Sequence, residues 1–424
     1  MQRILPVIIL ICYFFSFFLP DVNFLYMSWD RKIPQYLFIS LLNLFSFIYF
    51  FRLEYSINNL LKRAFNNKII VFYSLFIFAC LISIMFAINL SAAITTFSQY
   101  LTYLIALIFI YSWAIKINNI FIELVIFISI LSLTIETFSI VYNALDLVYI
   151  KEINFTRDNF LLRTFAGNIN ISANSIIMKI VFLYYALFKM NDKKYLVLLY
   201  TILFIAFSAL FILLTRSSFV SLAMITVLYF LWKSREGLMK TVNIVLIFLL
   251  SFSFVQYGII KTNNSEITDR LSSISINRGD DSINERLNYY SHSLESISEN
   301  PLFGIGIGNW KLKSIYYDSQ NIGGYIIPYH AHNDFLQIAA EIGILGFLMF
   351  LMIFIIPMWE IILRLVKRNL ESFEFSILLI MIAYIIDSML NFPIARPLSH
   401  VYFLFVLVSY VIFKQNKTAV DEDI

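Results

Sequence analysis

Charge and cysteine are scarce in this 424-residue chain. Only 14% of its residues are charged, against about 25% in an ordinary soluble domain, which excludes a conventional water-facing exterior. The two cysteines, Cys12 and Cys80, both lie inside apolar runs, so neither a disulfide framework nor a cysteine-based metal site is available. The net charge of +4 is scattered between apolar segments and forms no basic stripe, which argues against a nucleic-acid partner. No glycine-rich stretch has P-loop or dinucleotide spacing. No internal repeat is evident, and with it goes the paired, Gly/Pro-interrupted pattern of many secondary transporters.

What the chain has is apolar sequence, 60% hydrophobic and 18% aromatic, for which lipid is the natural solvent. Apolar runs separated by short polar breaks predict about twelve spans, at 4–19, 34–51, 69–88, 97–115, 120–145, 171–188, 195–214, 217–232, 241–259, 334–360, 373–390 and 398–413. The expected fold class is all-α, a polytopic transmembrane helical bundle with one large loop between late spans. The expected organisation is 1–259 for the first nine helices, 260–333 for the loop, and 334–424 for the last three helices and tail. The N-terminal run resembles a signal peptide, but Pro20, Asp21 and Val22 stand where small cleavage-site residues belong, so it reads as a retained first span.

Basic residues set the expected orientation. With a cytoplasmic N-terminus, the inward loops carry Arg52, Lys62, Arg63, Lys68, Lys116, Lys189, Lys193, Lys194, Lys233, Arg235, Lys240, Arg364, Lys367 and Arg368. The outward side carries only Arg31, Lys32, Lys151, Arg157, Arg163, Arg216 and Arg396 outside the long loop. The positive-inside rule then puts both termini in the cytoplasm and the segment from Ile260 to Asn333 on the far side, away from cytosolic nucleotides.

That segment holds most of the chemically suggestive residues. Lys261 to Arg286 is polar and reads as mobile, and from Asn284 onward Leu287, Tyr290, Leu294 and Ile297 recur at helical spacing until Asn300-Pro301 stops the helix. Gly304-Ile305-Gly306-Ile307-Gly308-Asn309-Trp310 follows, either a sharp structural turn or an anion-binding nest of backbone N–H groups. Tyr329-His330-Ala331-His332-Asn333-Asp334 then runs directly into an apolar span. An imidazole there can exchange a proton with a hydroxyl group. A zinc site lacks a third ligand nearby, and simple capping of the next helix by His332 and Asn333 is the plainer alternative.

Taken in order, Arg286, Asn300-Pro301-Leu302-Phe303-Gly304-Ile305-Gly306, His330-Ala331-His332-Asn333 and Glu341-Ile342-Gly343-Ile344-Leu345-Gly346 resemble the O-antigen ligase and polymerase superfamily. The likeness is close over 284–350 and loose elsewhere. It implies a bacterial inner-membrane enzyme that moves a glycan from undecaprenyl diphosphate to an acceptor hydroxyl, with neither metal nor other cofactor. The acceptor would be the lipid A core in a ligase or a second lipid-linked glycan in a polymerase, with membrane lipid and a chain-length regulator as further partners. By resemblance His332 is the candidate base and Arg286 a catalytic diphosphate ligand. The family's Thr-x-Ser-Arg pattern is present only imperfectly as Thr215-Arg216-Ser217-Ser218, making Arg216 a second candidate for the diphosphate. His330, Asn333 and the Phe165-Ala166-Gly167-Asn168-Ile169-Asn170 run, through Asn168 and Asn170, are candidates for sugar or loop contacts, although helix capping explains the latter more economically.

The spacing His332-Asn333, then nine intervening residues, then Gly343 resembles a ligase pattern and leans towards a ligase. Two other classes compete. Lys179 and Asp387, costly inside a membrane, would also suit a transporter or flippase, and the loop could serve a non-catalytic scaffold.

Overall fold

The computed structural model describes residues 4–19, 32–53, 57–152, 162, 165, 167–233, 237–260, 281–319 and 328–422. The polar run 261–280, and with it Pro20, Asp21, Val22, Arg31, Arg157, Arg163, Ala166 and Arg235, lie outside the described residues. Among the described residues all regular secondary structure is helical. Its α-helices are α1 (Ile4–Phe14), α2 (Ile33–Leu53), α3 (Ile57–Phe65), α4 (Lys68–Ser83), α5 (Leu90–Lys116), α6 (Asn118–Leu145), α7 (Ile169–Lys189) and α8 (Lys193–Leu213). They continue as α9 (Arg216–Lys233), α10 (Leu238–Ser253), α11 (Asp281–Glu299), α12 (Trp310–Tyr317), α13 (Asp334–Val366), α14 (Ser372–Leu390) and α15 (Pro397–Glu422).

Among the described residues, ten helical segments are long and apolar enough to cross a membrane, built on α2, α4 to α8, α10 and α13 to α15. The other two expected spans also exist as helices. The first is the shorter apolar stretch Ile4–Phe18, and the second is α9, whose apolar run is diluted by Ser217, Ser218 and Ser221. The protein is thus polytopic and multi-pass, as its hydrophobic runs predict. Outward-facing apolar side chains such as Leu41, Phe51 and Phe127 fit a lipid surround.

Asparagine and aspartate mark many helix starts. Asn67, Asn89, Asn168, Asp192 and Asn333 each accept backbone N–H groups from the first turn of α4, α5, α7, α8 and α13, satisfying donors that have no partner within the helix. The loop helix predicted from Asn284 begins slightly earlier, at Asp281, so Asp281 to Arg286 is helical where the composition suggested mobility.

The chain divides into two compact units. One comprises 1–122, 277–370 and 388–424. In it α4 packs on α13 and α5, while α5 also meets α1, α2 and α15. Several buried polar groups there are matched: the Tyr13 hydroxyl donates to Asn43 Oδ1 at 2.8 Å, Trp113 Nε1 to Ser46 Oγ at 2.9 Å, and the Tyr73 hydroxyl lies 2.7 Å from His400 Nε2. In lipid such pairing is favoured, since water cannot substitute.

The second unit comprises 123–276 and 371–387, with α7 packed on α8 and α9, and α8 on α10. Its interior holds a fully buried ion pair between Lys179 and Glu136, whose carboxylate also accepts from Ser132 at 2.8 Å and Ser175 at 3.2 Å. Asp387 is held separately, accepting from Asn174 Nδ2 at 2.8 Å. The two charges singled out from the sequence thus each have a buried polar partner of their own, Glu136 for Lys179 and Asn174 for Asp387.

Removing one partner of such a pair strands a charge in apolar surroundings, at a cost of roughly 3–5 kcal/mol. Glu136→Gln and Lys179→Met should each lower the thermal aggregation midpoint of the detergent-solubilised protein by several degrees, and the double variant should recover most of the loss. Single variants as stable as the wild type would show that the pair contributes nothing to the fold.

Candidate functional site

The site is built around a helix that is broken near its start. Gly343 interrupts α13 with φ 78° and ψ 179°, a conformation that glycine alone adopts without strain. Backbone groups freed by the break are taken up by the preceding loop. Ile344 N–H donates to the Pro301 carbonyl at 2.9 Å, and the Ala340 carbonyl accepts from Ile305 N–H at 3.0 Å. A side chain at Gly343 would put its Cβ 2.1 Å from the Leu302 carbonyl oxygen, and one at Gly304 would meet the Glu341 backbone at 2.4 Å. The two sequence motifs are thus two halves of one interlocked joint.

The same geometry decides between the two readings of the Gly304–Gly308 run. All three glycines have positive φ. Their loop does make an anion-binding arrangement of N–H groups, but the anion is the chain's own: Glu341 Oε2 accepts from Gly308 N–H at 2.8 Å and Oε1 from Trp310 N–H at 3.0 Å. Gln337 Nε2 adds a third bond to that carboxylate at 3.2 Å. Trp310, fully buried, then donates from Nε1 to Ser293 Oγ at 2.8 Å and so ties α11 to the loop.

Gln337 passes this order on to the histidines. Its Oε1 accepts from Ala331 N–H at 3.1 Å, fixing the buried residue between His330 and His332. His332 adopts φ 53°, a left-handed conformation unusual for a non-glycine residue. The Tyr290 hydroxyl, from α11, donates to the His332 carbonyl at 3.2 Å and to the Met389 carbonyl at 2.9 Å. Asn333 does what its type suggests, capping α13 through Leu336 N–H at 3.1 Å. The plain capping reading therefore holds for Asn333, while His332 plays no part in the cap.

The His332 ring lies edge-on to Phe392 at 5.1 Å and parallel to Tyr289 at 6.3 Å between centroids. Its Nδ1 is buried and has no hydrogen-bond partner among the described residues. Burial, reinforced by the Arg286 and Arg396 guanidiniums, pushes its pKa down to about 4. At neutral pH it is an uncharged imidazole with an unused buried nitrogen. His330 stacks on Phe392 at 4.2 Å, and burial, with Lys32, Arg396 and His332 adding repulsion, holds it well below the usual imidazole range.

The structure therefore brings His332, His330, Asn333 and Arg286 together in the first unit. Arg216, Asn168 and Asn170 belong to the second unit. There Asn168 is the N-cap of α7, accepting from Asn170 and Ile171 N–H at 2.9 and 3.3 Å, and Arg216 opens α9 after a tight turn through Leu214 at φ 49°. Ser218, in the position where the family pattern has arginine, is buried and bonds to the Thr215 carbonyl at 2.7 Å. Sequence reasoning passed over Tyr289, Tyr290, Phe392 and Glu341 as site residues, and counted Arg396 only as a loop charge. The one available signal was Arg396 itself, a cation framed by Pro393 and Pro397 in a short connector between two spans.

Fold and site together define a multi-pass membrane protein with a folded extramembrane segment that presents a neutral histidine among cations. Residues 201–351, a little over a third of the chain, match the model of the family described as O-antigen ligase. This stretch is consistent with the superfamily that the motifs resemble, and includes α11, α12, both histidines and the broken start of α13. The chain is also 26% identical over 160 residues to a Haemophilus influenzae protein described only as an uncharacterized protein. That match covers 34% of this chain and 38% of the relative's length.

The joint yields two predictions. Glu341→Ala strands two buried N–H groups at a cost of roughly 1–3 kcal/mol each, so it should reduce the thermal stability of the purified protein well below that of Glu341→Gln. Equal stability of the two would remove the carboxylate from the argument. Gly343→Ala should abolish accumulation of folded protein, whereas Gly258→Ala, whose added carbon would meet only the Phe254 ring at 3.7 Å, should be tolerated; equal yields would show that the break is dispensable.

Proposed function

We propose that this protein is an inverting glycosyltransferase of the bacterial inner membrane, moving a glycan from undecaprenyl diphosphate to an acceptor hydroxyl at the periplasmic face. The observation that carries the reading is the uncharged His332, with its unpartnered buried Nδ1, in the field of Arg286 within a segment that matches the O-antigen ligase family. In this reading the acceptor hydroxyl attacks the anomeric carbon of the donor sugar as its proton passes to His332. The bond from that carbon to the phosphate oxygen breaks, and undecaprenyl diphosphate leaves with the electron pair. Arg286 offsets the charge that develops on the leaving oxygen. The donor already contains its leaving group, so positioning, a base and positive charge suffice.

The orientation follows from the distribution of Lys and Arg, which favours cytoplasmic termini and a periplasmic 260–333 segment. Of the two acceptors, the lipid A core is the one we adopt, supported by the spacing of His332-Asn333 and Gly343 and by the description of the matching family. Arg216 serves in this reading as a further diphosphate ligand, with His330, Asn333, Asn168 and Asn170 as sugar or loop contacts. A transporter would leave the ordering of the two histidines by α11, α13 and the Gly304–Gly308 loop without a purpose.

Complementation tests the reading. His332→Ala and Arg286→Ala, expressed in cells that lack the native gene, should insert at normal levels yet reduce polymer-bearing product on a gel at least a hundredfold. Long glycans stranded on the carrier would identify a ligase, and single repeats a polymerase. Normal product from both variants would eliminate the transferase.

A further inference from the structure

Large apolar side chains crowd the surface of the turn between α4 and α5. Met85 is 84% exposed, and Phe86, Ile88 and Leu90 beside it are exposed as well. The Gly304–Gly308 loop is fastened to this turn. Asn89 N–H donates to Asn309 Oδ1 at 2.6 Å, Ile307 N–H donates to Ser83 Oγ at 3.2 Å, and a Cβ at Gly306 would lie 2.3 Å from Ala87 Cα. Just before that loop, Leu302 and Phe303 add exposed apolar side chains of their own, and the Phe303 ring stacks on Phe86 at 4.8 Å. An apolar lip thus joins the α4–α5 turn to the segment that reads from the sequence as an extramembrane loop.

The lengths of the helices set the depth of this lip. The apolar span that begins with α4, Lys68–Phe86, has 19 residues, which is about 28 Å at the helical rise, against a hydrocarbon core of about 30 Å. Such a span has no length to spare, so Met85 and Phe86 end at the hydrocarbon edge. Residues 87–89 alone separate it from the next span, Leu90–Lys116. On α4 the exposed Leu75, Phe78 and Leu81 are followed by Met85 at intervals of three and four, one lipid-facing stripe that runs onto the lip. The later span gives the same level. Exposed large apolar side chains begin on α13 with Ile344, Leu345 and Leu348, directly after the break at Gly343, whose neighbour across the joint is Leu302.

We propose that Leu302 and Phe303, together with Met85, Phe86 and Ile88, are seated in the acyl-chain boundary of the bilayer, so that lipid itself holds this part of the extramembrane segment against the membrane. The occupant is bulk bilayer lipid, because the lip continues a lipid-facing stripe and lies at its level; a patch meant for a protein partner would stand clear of that stripe. Polarity changes within a few residues. Ser298, Glu299 and Asn300 are exposed, with Glu299 paired to Lys313 at 2.7 Å, whereas Leu302 and Phe303 are exposed and apolar. The chain therefore passes from water into the membrane boundary across Pro301. Because the Leu302–Gly304 stretch interlocks with Gly343, the depth of Leu302 also fixes the depth of the first turns of α13 and of His330 and His332 just before them. This holds whether or not the protein transfers a glycan.

A depth measurement tests the seating, on the full-length protein in nanodiscs of phosphatidylethanolamine and phosphatidylglycerol. Cys12→Ala removes the more accessible native thiol, Cys80 being buried. Nitroxide labels are then placed singly through Leu302→Cys, Met85→Cys and, as a water-facing reference, Ser298→Cys. Relaxation by oxygen, which concentrates in lipid, should exceed relaxation by an aqueous nickel chelate at 302 and 85, and the order should invert at 298. Met85→Cys, at a position already open, reads the same surface if Leu302→Cys does not fold. Nickel-chelate relaxation at 302 and 85 as strong as at 298 would overturn the lipid contact. Exclusion of both agents would overturn it too: with dipolar broadening between labels it marks a second copy on the lip, and without broadening another protein surface.

Discussion

The Glu341 carboxylate is the interaction on which the rest of the site depends. It is buried, it lies about two turns into α13, and it accepts from the backbone of Gly308 and Trp310 and from the side chain of Gln337. Each bond fixes a different part. The first two shape the glycine loop, and through Trp310 and Ser293 that loop fixes α11, which carries Arg286 and Tyr290. The third orients Gln337, whose other end holds Ala331 between the two histidines. One carboxylate thus sets the relative positions of His332 and Arg286 through two short chains of hydrogen bonds. A buried carboxyl group is tolerable here because backbone N–H groups and the Gln337 amide donate to its oxygens.

The break at Gly343 is the geometric counterpart of that electrostatic centre. A continuous helix would satisfy its own backbone and offer nothing to the loop. By giving up one turn's regularity, α13 exposes the Ala340 carbonyl and the Ile344 N–H, and the loop takes both. The exchange is nearly neutral in hydrogen bonds, yet it converts a flexible connection into a rigid one with the loop backbone pressed against the helix. Three further glycines make that close approach possible, because a Cβ at Gly304, Gly306 or Gly308 would lie within 2.4 Å of a neighbouring atom.

Much of this was legible in the sequence. Every predicted span corresponds to a helix, since apolar runs of the required length have few alternatives in lipid, and asparagine or aspartate before several of them marked their starts. The helical period from Asn284 and its stop at Asn300-Pro301 gave α11. The function of the glycine run was not legible, because both a turn and an anion nest need the same residues; only the arrival of Glu341, 33 positions from Gly308, makes it both at once. Phe392 and Arg396 were invisible for a related reason. Each is ordinary in its local context, an aromatic and a cation at a membrane boundary, and acquires meaning only when the fold brings 392–396 against 330–334. The Lys179 partner was missed because Glu136 sits in an apolar run with no local sign of its role, and pairing between helices leaves no sequence spacing to read.

The asparagines show why capping and recognition need not compete. A cap uses the side-chain oxygen: in Asn333 it is Oδ1 that accepts Leu336 N–H, and in Asn168 it is Oδ1 that accepts from Asn170 and Ile171. An amide has two further donors on its nitrogen, and a capped helix start holds them in a fixed direction at no added conformational cost. A helix entering the membrane therefore presents, at its first residue, a rigid hydrogen-bond donor at the boundary where a sugar hydroxyl on a lipid carrier would be presented. The capping requirement selects the residue type, and the same type is the one the proposed sugar contact would need. Residues that look merely structural at the mouths of spans are thus equipped to bind a polar ligand as well, as the Asn333 amide is beside His332.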